Sequence, residues 1–322
     1  MTVLEAIQKS TEFLTRKGVE SPRLQTELLL AHLLKMPRMK LYLNFERGLT
    51  AAETDALREF IKRRSLREPL QHIIGSTSFC GYEMVVSRHV LVPRPETELL
   101  AELGWQFLAE RWVPSRPVIA DVSGPAGTVL GAPVALDFCT GSGCIAIALA
   151  AKCPNAKIVA TDISADALAL ATENAEQNNV AERIKFLQGD GFTALKDGWG
   201  ERPLEPRLAS GENGSPGVSP HLFDLIISNP PYIPSAEIVT LQPEVRDFDP
   251  RLALDGGADG LDFYRLIASQ ARAFLKPDGK LMVEFGDGQA DAIQRIFESE
   301  KWIVEAVKED YSHRARVLIA RI

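Results

Sequence analysis

Along the first 75 residues, apolar positions recur at helical spacing. Leu4, Ile7 and Leu14 share one helical face, Gly18 breaks the pattern, and Ser21-Pro22 offers an N-cap followed by a proline at the first helical position, where the missing N–H costs nothing. Leu24, Leu28, Ala31 and Leu34 continue as a second helix. A third begins at Thr50-Ala51-Ala52-Glu53, a capping box in which each polar side chain satisfies an orphan backbone N–H, with Leu57, Phe60 and Ile61 on one face. Helices this few and short bury little surface, so residues 1–75 are expected to form a small helical domain that leans on its larger neighbour.

The pattern then changes. Residues 76–93 read as a β-hairpin linker, with Gly81 at a turn and Met84-Val85-Val86 and Val90-Leu91-Val92 as strands. A helix follows Pro95, with Glu96 and Glu98 in the first turn where the helix dipole favours negative charge. From 94 to 322 short apolar runs alternate with helical segments: Val134-Ala135-Leu136, Ile158-Val159-Ala160, Ile184-Lys185-Phe186, Leu225-Ile226-Ile227 and Lys280-Leu281-Met282-Val283. Such runs suit strands buried on both faces of a parallel sheet, so the larger domain is expected to be a doubly wound, Rossmann-like α/β fold. Two Pro/Gly-rich stretches, Val113 to Pro133 and Glu201 to His221, read as loops and receive no function.

A length of 322 residues agrees with two domains, and 45% hydrophobic with 25% charged residues describes an ordinary soluble protein. The start lacks the basic-then-apolar pattern of a signal peptide and no apolar stretch, Leu28 to Leu34 included, is long enough to span a bilayer, so a cytoplasmic monomer without a membrane partner is expected. Cys80, Cys139, Cys144 and Cys153 form no Cys-x-x-Cys pair and have no clustered His, which fits reduced structural thiols and no metal. The net charge of -7 argues against a phosphate backbone as direct partner. Positive charge is concentrated at the start, notably Lys62-Arg63-Arg64 with Arg67; this run is either a solvated helix face or a docking surface for an acidic partner.

The first strand of the larger domain runs into Leu136-Asp137-Phe138-Cys139-Thr140-Gly141-Ser142-Gly143, a small-residue turn that opens a helix at the sheet's carboxyl edge, where open α/β sheets bind ligands. The next strand ends in Asp162, 19 residues past Gly143, the separation expected of a carboxylate that grips ribose hydroxyls. The third ends in Asp190-Gly191-Phe192, a carboxylate for an adenine amino group and a ring for its face. A dinucleotide would need Gly-x-Gly-x-x-Gly to seat its pyrophosphate, and Ala146 breaks that pattern. S-adenosyl-L-methionine has no phosphate; its sulfonium and amino acid parts need close backbone and a carboxylate, which Gly141, Gly143 and Asp137 supply.

The fourth strand ends in Asn229-Pro230-Pro231-Tyr232, the most specific signal in the chain. Consecutive prolines fix an extended backbone and remove two N–H donors, so carbonyl oxygens face a ligand without competition. The Asn229 side-chain oxygen and the Pro230 carbonyl can both accept from an –NH2 group while Tyr232 stacks on the plane that bears it. A planar nitrogen is a poor nucleophile, and holding its N–H bonds aims its remaining face at a sulfonium methyl. Asn229 thereby borders cofactor and substrate alike.

These segments resemble the HemK/PrmC family, the protein N5-glutamine methyltransferases that act on the Gly-Gly-Gln glutamine of class I peptide chain release factors. The likeness extends through Glu68-Pro69-Leu70-Gln71-His72-Ile73-Ile74-Gly75, Arg94-Pro95-Glu96-Thr97-Glu98, Asp137 to Gly143, Asn229 to Ile233, Glu244-Val245-Arg246, Asp255-Gly256-Gly257-Ala258-Asp259-Gly260-Leu261, and Glu284-Phe285-Gly286 with Gln289. It implies a class I S-adenosylmethionine-dependent methyltransferase domain with S-adenosyl-L-homocysteine as by-product. It also implies cofactor on Cys139, Thr140, Gly141, Ser142, Gly143, Asp162 and Asp190 to Phe192, substrate glutamine on Asn229 to Tyr232, and release factor held by residues 1–75. Cys139 stands where the family usually has glycine, and Gly191 where an aromatic is common, which leaves adenine stacking to Phe192. Two alternatives stay open: the sister activity on a ribosomal protein glutamine, and an amino-group methyltransferase of nucleic acid.

Overall fold

The computed structural model describes residues 1–111, 132–198 and 222–322; the stretches read as loops at 113–131 and 201–221 lie outside these. The first domain carries helices α1 Val3–Arg16, α2 Pro22–Leu33, α3 Arg38–Leu41, α4 Ala51–Ser65 and α5 Leu70–Ile74. The capping box at Thr50 and Glu53 forms as expected, and Thr2 with Glu5 makes a second one that starts α1. Ser21 occupies the N-cap position of α2, but in a left-handed conformation (φ 45°) and without a side-chain cap; Pro22 at N1 supplies the start instead. The inward face of α2 is also rotated from the expected one: Leu29, Leu30 and Ala31 are buried against Val3, Ile7 and Leu57, whereas Leu24 is exposed.

Lys62 is solvated, as one of the two expected readings has it, but the arginines of the basic run have another role. Arg63 pairs with Glu68 at 2.6 Å, while Arg64 and Arg67 converge on Glu244 of the larger domain, each at 2.6 Å. Arg64 is 3% exposed. The acidic partners of these arginines therefore belong to the protein's own chain, and the Arg64 and Arg67 guanidinium groups hold the domains together rather than offering a docking surface. Gln242 adds a hydrogen bond to Glu20 at 3.1 Å.

Strands β1 Ser76–Phe79 and β2 Tyr82–Val85 form the antiparallel hairpin around Cys80-Gly81, both with positive φ as a tight two-residue turn requires. Val90-Leu91-Val92 is not a strand: it precedes Pro93 and Pro95, finds no pairing partner among the described residues, and leaves a bend at Val90 as irregular chain with Val90 and Val92 buried. Helix α6 Pro95–Arg111 starts where expected.

There follow β3 Val134–Phe138, α7 Cys144–Lys152, β4 Lys157–Asp162, α8 Ala165–Gln177, β5 Ile184–Gln188, α9 Thr193–Gly198, β6 Phe223–Ser228, α10 Pro243–Arg246, α11 Asp262–Gln270, β7 Leu275–Glu284, α12 Ala290–Ser299, β8 Ile303–Glu309 and β9 Ala315–Arg321. The sheet order is β5-β4-β3-β6-β7-β9-β8, with β3 to β7 parallel and β9 antiparallel to both its neighbours, β7 and β8. All five apolar runs are strands of this doubly wound sheet. Alternate residues feed two cores: Leu225 and Ile227 pack towards α6 and α7, and Ile226 towards α11 and α12. Helix α7 is buried from Cys144 to Ala150, which explains why it is apolar all round. Because β3 lies between β4 and β6, the strand order reverses there, and a crevice opens at the carboxyl ends of these strands. No described helix is long and apolar enough to cross a membrane.

Candidate active site

A cavity of ≈ 250 Å³ fills that crevice, lined by Cys139, Thr140, Gly141 and Ser142 from the turn after β3, Thr161 and Asp162 from β4, Gly189, Asp190 and Gly191 after β5, and Asn229 and Pro231 after β6. Leu91, Leu252 and Phe263 close it with apolar surface. A Cβ built on Gly141 would meet no protein atom within 4 Å, so this glycine presents bare backbone to the space. Asp162 braces the same turn: it accepts from Gly141 N–H at 2.9 Å and, with its other oxygen, from Ser164 N–H at 2.9 Å. The two carboxylates of the lining, Asp162 and Asp190, with bare backbone between them suit a cationic nucleoside rather than a chain of phosphates.

Three residues expected at the cofactor sit elsewhere. Asp137 is fully buried behind the turn, where Oδ2 accepts from Thr140 Oγ1 at 2.6 Å and from the Ala146 N–H at 3.0 Å. Burial pushes its carboxyl up to about 7. It shapes the turn and does not line the cavity. Gly143 packs against α8, its absent side chain giving room to Ala171, whose Cβ a Gly143 Cβ would meet at 3.0 Å. Phe192 is 1% exposed and sandwiched between Phe138 at 4.8 Å and Phe274 at 5.2 Å, so both its faces are used and neither is left for adenine. Cys139 lines the cavity at φ 61°, a left-handed conformation that costs a side-chain-bearing residue about 1–2 kcal/mol and that glycine adopts freely. Asn174 on α8 ties the turn to the hairpin, donating to Ser142 O at 3.0 Å and exchanging bonds with Val85 at 2.7 and 3.0 Å.

Past β6 the chain divides between two spaces. Pro231 faces the first cavity, whereas Pro230 and Tyr232 line a second one of ≈ 310 Å³ with Glu96, Leu241, Val245, Glu284 and Arg316. Asn229, Leu91, Arg94 and Ala253 belong to both walls, so the two cavities meet at Asn229. The Asn229 Nδ2 donates to Thr97 Oγ1 at 3.1 Å, which fixes the amide's orientation and leaves Oδ1 to accept. Arg94 is held by the buried Asp249 at 2.9 Å, and burial pushes that carboxyl up to about 6 against the opposing charge of Arg94.

Tyr232 is held from three sides. Its carbonyl accepts from Gln289 Nε2 at 2.9 Å, and Gln289 Oε1 accepts in turn from Gly286 N–H at 2.9 Å. A Cβ on Gly256 would meet the Tyr232 Cα at 2.8 Å, one on Gly260 its carbonyl oxygen at 2.4 Å, and one on Gly286 its ring at 2.9 Å. Burial pushes its hydroxyl up to about 12, so the ring is neutral. The residues that sequence reasoning left without a role, Thr97, Arg94 and Glu284, all lie in segments that carried the resemblance, which was the one signal that could have found them.

A family profile described as "PrmC N-terminal domain" matches residues 5–75, and one described as "Methyltransferase domain" matches residues 132–317. Proteins named "Release factor glutamine methyltransferase" are 41% identical in Geobacter sulfurreducens, over 92% of this chain and 88% of that protein, and 38% identical in Chlorobaculum tepidum, over 98% and 96%. A third so named, from Rhodospirillum rubrum, is 38% identical over 94% of this chain and 80% of its own length. With both domains matched and identity sustained along nearly the whole length, the chain belongs to the release factor glutamine methyltransferase family and is a methyltransferase.

Proposed function

We propose that this chain transfers a methyl group from S-adenosyl-L-methionine to the side-chain amide nitrogen of the glutamine in the Gly-Gly-Gln motif of class I peptide chain release factors, in the cytoplasm where those factors act. One observation carries the reading: a cavity walled by bare backbone and carboxylates meets a second cavity at a single oriented asparagine. The names of the relatives at 38–41% identity favour a release factor over a ribosomal protein as substrate.

The residues of the first cavity fit the cofactor. Gly141 and Ser142 offer close backbone, Asp162 has a carboxylate for ribose hydroxyls, and Asp190, in the same lining, has one for an adenine amino group. With Phe192 buried, the apolar face for the base falls to the other lining groups, Phe263 and Leu252. The bound cofactor supplies a methyl group activated by a positive sulfur.

The chain's own work is positioning. Thr97 holds the Asn229 amide by its nitrogen, so Oδ1 is the group that accepts from an incoming glutamine –NH2, and the Pro230 carbonyl takes the other N–H. Tyr232, locked by Gln289 and its three glycine neighbours, offers a ring face to the amide plane. Such placement of reacting groups removes a large part of a barrier without a strong base. Incubation with a purified release factor and isotopically labelled methyl donor, followed by mass-spectrometric mapping, should place one methyl on the Gly-Gly-Gln glutamine. Label on a ribosomal protein and none on the release factor would overturn the substrate assignment.

A further inference from the structure

The second cavity contains a charged group that positioning alone does not employ. Glu284 ends β7, is 2% exposed, and lines this cavity together with Asn229, Pro230 and Tyr232. Its Oε2 meets no hydrogen-bond donor, and the buried Tyr264 hydroxyl is spent on the backbone carbonyl of Glu284 at 2.8 Å rather than on its carboxyl. Two arginines, Arg94 and Arg316, and one further acid, Glu96, complete the charged lining. Arg316 is already engaged by Asp310 at 3.3 Å and the Phe285 carbonyl at 3.0 Å, and Arg94 by Asp249. Neither neutralises Glu284 by a direct ion pair among the described contacts.

We propose, on the functional reading above, that Glu284 is the proton acceptor of the reaction. The amide nitrogen gives an electron pair to the methyl carbon, the electrons of the broken S–C bond stay on sulfur as the neutral thioether S-adenosyl-L-homocysteine, and one amide N–H proton passes to the Glu284 carboxylate. Charge balances: a sulfonium and a carboxylate disappear together, leaving a neutral thioether, a neutral N-methyl amide and a neutral carboxylic acid. A nitrogen-protonated amide is a far stronger acid than a carboxylic acid, so a carboxylate at hand takes the proton as the new bond forms. At a carboxyl only 2% exposed this mutual cancellation of charge is favoured, because a buried charge is poorly solvated.

The carboxyl has the right poise. Burial pushes it up to about 7, opposed by hydrogen bonding from Thr97, then the charge of Arg316, and finally hydrogen bonding from Asn229, with Glu96 adding to the upward push. A cation arriving in the adjoining cavity favours its ionised form, so cofactor binding near neutral pH should expel a proton from Glu284, whereas the neutral thioether product should not.

Calorimetry of the full chain at about pH 7, in buffers of different ionisation enthalpy, reads this directly. S-adenosyl-L-methionine should release more protons on binding than S-adenosyl-L-homocysteine, and Glu284→Gln should abolish the difference while still binding both. Equal proton release by the two ligands in the wild-type chain overturns the proposal, whether or not the variant folds. The second readout is the single-turnover rate of methyl transfer to release factor. It should fall as the medium is acidified from about pH 8 to about pH 5, and in Glu284→Gln it should be lower by about 10²-fold, the lower end of what general-base catalysis contributes, and flat with pH. A wild-type chain that methylates no release factor overturns the functional reading; one that methylates it at a rate independent of pH over that range overturns this proposal alone.

Discussion

Glu244 joins the two domains through a single carboxylate, and replacing it with glutamine isolates what that charge does. In the native chain Oε1 accepts from Arg64 at 2.6 Å and from Arg67 Nε at 2.7 Å, and Oε2 accepts from Arg67 at 2.6 Å. The Arg64 side chain is 4% exposed and that of Glu244 16%, so this is close to a buried ion pair, for which loss of one partner costs about 3–5 kcal/mol. The figure must be reduced here. Arg64 keeps Gln25 and the Glu68 carbonyl as acceptors, Arg67 keeps the Gly18 carbonyl, and the glutamine retains one oxygen. About 2 kcal/mol remains, which at about 4–8 °C per kcal/mol for a domain as small as the first lowers its Tm by about 8–16 °C. Differential scanning calorimetry should show this shift, with the first domain melting ahead of the rest. Burial opposes the charge of Glu244, but hydrogen bonds from Arg67 and then Arg64 outweigh it and hold its carboxyl below the usual glutamate range. Its contribution is therefore full above the unfolded glutamate value and fades as pH falls through the lower, folded one, so wild-type and Glu244→Gln stabilities should converge in acid. An unchanged Tm at neutral pH would refute the claim that this pair holds the domains together.

Three other substitutions probe the site and its frame. Asn229→Ala removes the acceptor at the meeting point of the cavities and should lower turnover by about tenfold or more with cofactor affinity little changed, as steady-state kinetics and calorimetry would show. Asp162→Ala removes a carboxylate that can receive ribose hydroxyls and should weaken cofactor binding by about 10- to 100-fold, the scale of a hydrogen bond to a charged group; equal affinity by titration would remove it from the site. Gly104→Ala in α6 sets two effects against each other: helix propensity favours alanine by about 1 kcal/mol, but its Cβ would stand 2.9 Å from Ile227 Cδ1 and 3.0 Å from Leu149 Cδ2 in a packed core. Overpacking costs about 1–3 kcal/mol, so thermal melting should show a less stable protein despite the better helix former.

The central sheet was legible because β3, β4 and β6 are buried on both faces and read as unbroken apolar runs. Strands β8 and β9 were not, since β8 lies at the sheet edge, exposes Ile303 and interleaves charged residues among its apolar ones. Val90-Leu91-Val92 misled for the opposite reason: its β-branched residues are buried by packing, not by pairing. At the site, the strand-end motifs gathered as the carboxyl-edge rule demands, but adjacency in sequence does not say which way a side chain turns. Asp137, Gly143 and Phe192 point into the frame that supports the cavity. Likewise the basic run on α4 looked outward because its partner, Glu244, lies 180 residues from Arg64 along the chain.

The crowding around Tyr232 has a consequence for variation in this chain. Gly256, Gly260 and Gly286 are in the lining of neither cavity, and by position alone they would pass for residues remote from the chemistry. Each nonetheless keeps empty the volume of one carbon atom beside the tyrosine, so a methyl group added at any of them would shove the aromatic ring or its peptide out of place. Harm at the point of chemistry can thus be inflicted from residues that never meet a substrate, and an inactive natural variant with an intact Asn-Pro-Pro-Tyr should be examined at those three positions first.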